Sequence, residues 1–258
     1  MQTKSTATPK LYIGLDIHKR SWKIKTATDL FDGRSFSSPP QAASLKQYVD
    51  KHFSDHHVII AYEAGCFGYT AHRQFVSYGW DSIVFNPADL SKTGLSQYQK
   101  TDSIDAGLIC RELKDNRLTG IYIPDEQREQ LRCLFRRRVS LVKDFRAIKS
   151  EIKMELLYLG ISIPERYDKQ SKWRKSFIQW ISELRCKNPT ATHSIQSRLS
   201  QYKFIDTQIR EVSNDLRAYC RKHYKKDYYL LRSVPGIGAL VACGILSELG
   251  DLRRFKTI

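Results

Sequence analysis

An apolar run near the start of the chain ends in an acid: Leu11–Tyr12–Ile13–Gly14–Leu15–Asp16. A second run has the same form: Val58–Ile59–Ile60–Ala61–Tyr62–Glu63. Each is short and rich in β-branched and aromatic residues, which predicts a buried strand, and the second is too apolar to lie at a half-exposed position in a sheet. An acid that ends such a strand is costly to bury unless it is paired or bound to a metal ion. Asp16 and Glu63 are therefore candidate metal ligands.

Two further acids lie in the segment 100–108. Asp102 and Asp105 are three residues apart, which places both on one face of a helix in its first turn. Both also have a purely structural interpretation: Asp102 could cap the helix, and Asp105 could be favoured in the first turn by the helix dipole. Asp16, taken alone, could likewise be a turn residue. Taken together in a basic chain, Asp16, Glu63, Asp102 and Asp105 predict a catalytic site that binds Mg²⁺, with Mn²⁺ able to substitute.

The charge of the chain points to a polyanionic partner. The sequence holds 43 Lys and Arg against 27 Asp and Glu, a net charge of +16. Lys and Arg that neutralise the phosphates of a nucleic acid release its counterions, which favours binding. A basic ribosomal or chaperone-like protein without catalytic activity has the same composition. Candidate nucleic-acid-binding residues are Lys19, Lys100, Arg136, Arg137, Arg138, Gly236 and Gly238.

The sequence disfavours a membrane protein and a protein stabilised by zinc or disulfides. No run of 18 apolar residues occurs and the first ten residues are polar, so we expect a soluble cytoplasmic protein associated with the nucleoid rather than a membrane protein. The six cysteines are scattered without a C-x-x-C pair, which favours neither a zinc site nor a disulfide framework.

Three segments follow one another along the chain. Residues 1–125 alternate strands and helices, with three early strands followed by a strand–helix–strand unit. This is the layout of an α/β layer of the RNase H type, although the actin-like ATPases begin in the same way. Residues 126–226 predict two long amphipathic helices, the second at about 194–222, which form a helical arm or coiled coil. Residues 227–258 contain Val234–Gly238, a turn typical of helix-hairpin-helix modules.

With these residues in place, the chain resembles the DEDD transposases and invertases, which include bridge-RNA insertion-sequence recombinases and pilin-gene invertases. The resemblance covers most of the chain and is carried by an ordered set of segments: Tyr12–Lys19, Tyr62–Ala64, Asn86–Pro87, Lys100–Ala106, Val234–Gly238 and Glu248–Asp251, followed by Phe255. It implies a RuvC-like catalytic domain, a coiled-coil insertion and a second transposase domain that begins near residue 227. It places the metal-binding acids at Asp16, Glu63, Asp102 and Asp105. It also implies Mg²⁺-dependent DNA strand exchange directed by a guide RNA, in a homodimer or tetramer.

One feature departs from the family pattern. The family's serine nucleophile lies downstream of the segment matched by Glu248–Asp251, and neither Ser233 nor Ser247 occupies that position. We therefore expect the chain to be a truncated transposase that binds nucleic acid and metal without completing strand exchange.

Three other functions remain open from the sequence. A Holliday-junction resolvase or RNase H-type nuclease would use metal-activated water, but it leaves the helical arm without a purpose. A non-catalytic basic nucleic-acid-binding protein would use the acids as caps and turn residues. An actin-like sugar kinase is disfavoured because His18 and Lys19 stand where its phosphate loop needs glycine and threonine.

Overall fold

The computed structural model describes residues 8–90, 102–168 and 173–255, with the backbone alone at 102–104 and 168. Contacts divide the chain into two compact units, Met1–Ile123 and Pro124–Ile258. Each unit has its own hydrophobic cores.

The first unit is built on a five-stranded sheet. Its strands are β1 (Lys10–Ile17), β2 (Trp22–Thr28), β3 (Asp32–Ser38), β4 (His57–Glu63) and β5 (Asp81–Phe85). Their order across the sheet is β3-β2-β1-β4-β5. β2 is antiparallel to both β1 and β3, whereas β4 is parallel to both β1 and β5. The carboxyl ends of β1, β4 and β5 therefore meet at one edge of the sheet.

Helices cover both faces of this sheet. They are α1 (Ala42–His52), α2 (Thr70–Ser77) and α3 (Asp102–Lys114), with a short 3-10 turn at Pro87–Asp89. On one face, Leu45 and Phe75 of α1 and α2 are fully buried together with Ile13 of β1. On the other face, Ile109 of α3 is buried with Ala61 of β4. Alternate residues of the strands thus serve two cores, which is why the runs contain so few polar residues.

The second unit is helical in its described part. Its helices are α4 (Glu126–Tyr158), α5 (Glu165–Asp168), α6 (Lys175–Glu183), α7 (Pro189–His223), α8 (Lys225–Ser233) and α9 (Ala239–Leu249), followed by a 3-10 turn at Leu252–Arg254. α4 and α7 pack along each other and share a buried core that includes Ile148 and Leu199. α8 and α9 pack near the opposite end of α7, where Leu216 and Leu246 are buried.

The predicted mixed α/β architecture with long helices is confirmed, and the order of elements is as expected. Some helix starts differ. α7 begins at Pro189 instead of near Ser194, because the Asn188 side chain accepts a hydrogen bond from the Thr190 amide and proline is favourable in the first helical turn. No helix in the described ranges is long and apolar enough to span a membrane.

Candidate functional site

Asp16 and Glu63 occupy equivalent positions on neighbouring parallel strands. Leu15 of β1 is in register with Tyr62 of β4, so Asp16 and Glu63 are the next residues on each strand. Residues in register on parallel strands point to the same face, and the strands are about 4.8 Å apart. The Asp16 side chain is 21% exposed and Glu63 is exposed. The two carboxylates therefore open to solvent at the same edge and on the same face of the sheet.

Helix α3 crosses that face in close contact with β1. A Cβ at Gly14 would lie 2.8 Å from the Cα of Cys110 and closer still to the Ala106 carbonyl oxygen. One turn further along α3, the Cys110 thiol donates to the Tyr12 carbonyl oxygen at 3.5 Å. Ala106 thus lies over Gly14 and Cys110 over Tyr12, so α3 runs antiparallel to β1. Its amino-terminal end approaches the end of β1 that carries Asp16.

The second pair of predicted acids lies at this amino-terminal end of α3. Asp105 directly precedes Ala106 and is half-buried, and Asp102 is the first residue of α3. The side chain of Asp102 and the whole of Lys100 lie outside the described residues. Among the side chains that are described, no three His, Cys, Asp or Glu residues are close enough to hold a metal ion.

The donor chemistry and spacing of Asp16 and Glu63 fit a magnesium ion. Mg²⁺ takes oxygen ligands at 2.0–2.1 Å and is commonly held by one or two carboxylates together with substrate phosphates. Asp16 and Glu63 supply two such carboxylates from adjacent parallel strands, which lie about 4.8 Å apart in a sheet.

His18, two residues after Asp16 in the sequence, contacts this site. Its Nε2 lies 3.0 Å from Oδ2 of Asp16, just beyond the end of β1. A histidine that bonds one oxygen of a carboxylate helps to fix the orientation of that acid. The spacing of two residues suggests this role in the sequence, but the same spacing also occurs where a histidine simply packs.

Lysines approach the same face from β2. Lys23 is in register with Asp16 and Lys25 with Gly14 across the antiparallel pair of strands. Their ammonium groups donate to Ser37 Oγ and to the Gly33 carbonyl oxygen, each at 2.8 Å. Lys25 also lines a cavity of about 200 Å³ together with Arg111 and Lys114 of α3. Lys23 is therefore the lysine beside Asp16, whereas Arg111 and Lys114 lie at the carboxyl end of α3, away from the carboxylates.

The cysteine beneath α3 is a structural residue. Cys110 is 2% exposed, and burial raises the pKa of its thiol to about 11. The thiol stays protonated at neutral pH and serves as a hydrogen-bond donor to β1. It is no candidate for a nucleophile, since nucleophilic attack needs the thiolate.

The three predicted arginines of α4 have different surroundings. Arg136 forms a two-point ion pair with Glu248, with both N–O distances 2.9 Å. Arg138 donates to Ser213 Oγ at 2.8 Å, whereas Arg137 is exposed. Arg136 and Arg138 thus have intramolecular roles in the second unit, and Arg137 faces solvent.

Gly236 and Gly238 lie in the turn between α8 and α9, and both are exposed. Gly236 has a φ of 88°, a conformation that glycine adopts without strain. Gly238 is the residue before the first turn of α9 and caps it with no side chain. The turn therefore presents backbone N–H groups to solvent, as the hairpin interpretation requires.

The two serines nearest this turn are bound within their own helices. Ser247 Oγ is fully buried and donates to the Gly244 carbonyl oxygen at 3.0 Å. Ser233 Oγ donates to the Leu230 carbonyl oxygen at 2.7 Å. Neither contact positions a hydroxyl for attack on a phosphate, which agrees with assigning no nucleophile to these residues.

Comparison with known families agrees with this geometry. A family profile for DEDD transposases of the IS110 type matches residues 13–158, more than half of the chain. The chain belongs to this DEDD transposase family. The match begins in β1, ends with α4 and includes all four predicted acids. A second profile, for transposases of the IS116/IS110/IS902 family, matches residues 228–258 and includes the turn at Gly236–Gly238.

Curated relatives carry corresponding names. A putative transposase, y4qE, of Sinorhizobium fredii is 25% identical over 95% of this chain and 60% of its own length. The transposase for insertion sequence element IS1533 of Leptospira borgpetersenii is 23% identical over 96% of this chain and 72% of its own length. The chain thus spans about 60% of the first relative and 72% of the second.

Proposed function

We propose that this chain provides the metal-binding and nucleic-acid-binding parts of a DNA transposase that breaks and transfers phosphodiester bonds. The observation that carries the proposal is the register of Asp16 with Glu63, together with the approach of α3 over Gly14. Three strand ends and the start of one helix converge there. In a family named for four acids, such convergence supports Asp16, Glu63, Asp102 and Asp105 as the ligand set.

An RNase H-like fold of the first unit is part of the proposal. The strand order β3-β2-β1-β4-β5, with three antiparallel strands followed by two parallel ones, supports it. We assign residues 1–125 to the catalytic domain, 126–226 to a coiled-coil arm and 227–258 to the beginning of a second transposase domain.

The residues of the site would act on a phosphodiester by holding and orienting it. When bound, Mg²⁺ supplies Lewis-acid stabilisation of charge on the phosphate. Asp16 and Glu63 would hold that ion from the strand ends, and Asp102 and Asp105 from α3. His18 would fix the Asp16 carboxylate, and Lys23 would offset the charge of the phosphate from β2.

DNA is the proposed substrate, and a guide RNA the proposed source of sequence choice. In RNA-guided systems, base pairing supplies the sequence recognition while Lys and Arg hold the nucleic-acid backbone. We propose a homodimer or tetramer that assembles through the arm. Three exposed apolar side chains near the end of α4 support this, namely Met154, Leu157 and Tyr158, which are 62%, 71% and 89% exposed.

Metal binding tests the carboxylate set directly. We expect Asp16→Asn and Glu63→Gln each to lower the affinity for Mn²⁺ by at least about 10-fold, because each removes an anionic ligand, and loss of an outer-shell partner alone already costs that much. Isothermal titration calorimetry of the whole chain measures this without requiring catalysis.

Asp81→Asn is the matched control. Asp81 pairs with His57 at 2.7 Å, a contact that resembles Asp16 with His18 but lies at the opposite ends of β4 and β5. This variant should bind Mn²⁺ like the parent chain. Equal affinities in all four proteins would rule out the carboxylate site.

A further inference from the structure

An open cavity of about 560 Å³ lies at the end of β1, on the sheet face opposite α3. Ile17 and His18 form one wall, the start of α1 another, and α2 with the loop before it a third. The cavity begins one residue after Asp16, and its His18 wall is the same side chain that contacts the Asp16 carboxylate. The cavity therefore adjoins the proposed phosphate site through the His18 side chain.

Aromatic rings line this cavity. Trp22 is buried at its base, Tyr78 is half-buried, and Phe67 is 43% exposed in the loop that follows Glu63. An exposed phenylalanine at the mouth of a cavity offers a free ring face. Base–aromatic stacking uses such a face and tolerates any base, since every base has a π-face.

The polar groups of the cavity suit a nucleotide. Lys19 supplies a positive charge, and Gln41 and Gln74 supply amides that both donate and accept hydrogen bonds. None of the described residues that line the cavity is acidic. The start of α1 adds backbone N–H groups, because the Gln41 side chain makes no capping hydrogen bond there.

We propose that this cavity receives one unstacked nucleotide of the DNA, next to the phosphate held at Asp16 and Glu63. The base would stack on Phe67 and its edge would meet Gln41 or Gln74, while Lys19 would neutralise a flanking phosphate. This inference rests on the proposed function. It adds to it a preference for DNA that is unpaired beside the point of cleavage, where the cost of extruding a base is smallest.

Competition binding between two DNA duplexes tests the inference. Both carry a single-nucleotide bulge, but in one the bulged nucleotide has no base. Titrations use the whole chain with divalent ions chelated, so that no strand is cut and the carboxylate site does not contribute. We expect the duplex whose bulge has a base to bind at least about fivefold more tightly than the duplex whose bulge lacks one, because stacking of one base on an aromatic ring contributes at least that factor.

Substitutions assign the preference to the cavity. Phe67→Ala should bring the ratio of the two affinities close to one, and Phe67→Tyr should retain it. Phe31→Ala is the matched control, because Phe31 is 53% exposed in the turn between β2 and β3 and does not line the cavity. It should leave the ratio unchanged.

The outcomes separate the two proposals. Binding of both duplexes with equal affinity by the parent chain would overturn the cavity proposal and leave the proposed function standing. A preference that survives Phe67→Ala would also overturn the cavity proposal. A failure to bind either duplex would overturn the nucleic-acid function and the cavity proposal with it.

Discussion

Gly14 determines how closely α3 approaches β1. Any side chain at this position would overlap the Ala106 carbonyl oxygen and the backbone of Cys110, and backbone atoms of a packed helix do not move aside cheaply. We expect Gly14→Ala to lower the free energy of unfolding by at least about 2 kcal/mol. It should also weaken Mn²⁺ binding, because α3 carries Asp102 and Asp105. Urea denaturation and calorimetry measure the two effects.

Gly65→Ala is the control for this substitution. A Cβ at Gly65 meets no atom within 4 Å, and its φ is not in the left-handed region. The change should alter stability by no more than about 0.5 kcal/mol. If the two alanine variants unfold at the same urea concentration, the close contact of α3 with β1 is wrong.

At the scale of elements, the end of α9 depends on an arginine of α4. Arg132 donates to the carbonyl oxygens of Ser247 and Glu248 at 3.2 and 3.0 Å, and its side chain is only 13% exposed. These carbonyls lie in the last turn of α9 and have no partner within the helix. We expect Arg132→Ala to lower the free energy of unfolding by about 2 kcal/mol, since the lost hydrogen bonds involve a charged donor. Chemical denaturation followed by circular dichroism measures this.

The neighbouring Arg137 provides the comparison for that helix. Its side chain is exposed, and Arg137→Ala should leave the denaturation midpoint nearly unchanged. Equal losses of stability in the two variants would contradict the assignment of Arg132 to the end of α9.

At the scale of the whole molecule, the net charge of +16 predicts DNA binding that weakens steeply with salt. Arg137→Ala should reduce the slope of log K against log salt by about one, because one phosphate contact is lost. Arg210→Ala also removes one positive charge, but the Arg210 guanidinium is already paired with Asp206 at 2.5 Å, so this change should leave the slope unchanged. Filter binding over a salt series measures both. Equal slopes for the two variants would mean that binding follows net charge rather than a particular surface.

Most elements of the fold were predictable from local pattern. Strands β1 and β4 follow from short apolar runs, and the end of α4 follows from Gly160, whose φ of 68° closes the helix. The turn at Gly236 was visible as a glycine-rich break between two periodic segments. The start of α7 lies five residues before the predicted one, because the cap at Asn188 and Pro189 begins the helix ahead of its hydrophobic pattern.

The sequence identified the four acids as candidate metal ligands, but it did not show which residues lie beside them in the fold. Strand ends and helix starts depend on nearby residues, so the sequence alone could place Asp16 and Glu63 at strand ends and Asp102 and Asp105 at the start of a helix. The pairing of Asp16 with Glu63 depends on the parallel register of β1 and β4, which are separated in sequence by β2, β3 and α1. The Phe67 cavity and the Arg136–Glu248 pair likewise join segments far apart in sequence. Only the tertiary structure decided these contacts, because packing and register, rather than local preference, determine which distant side chains meet.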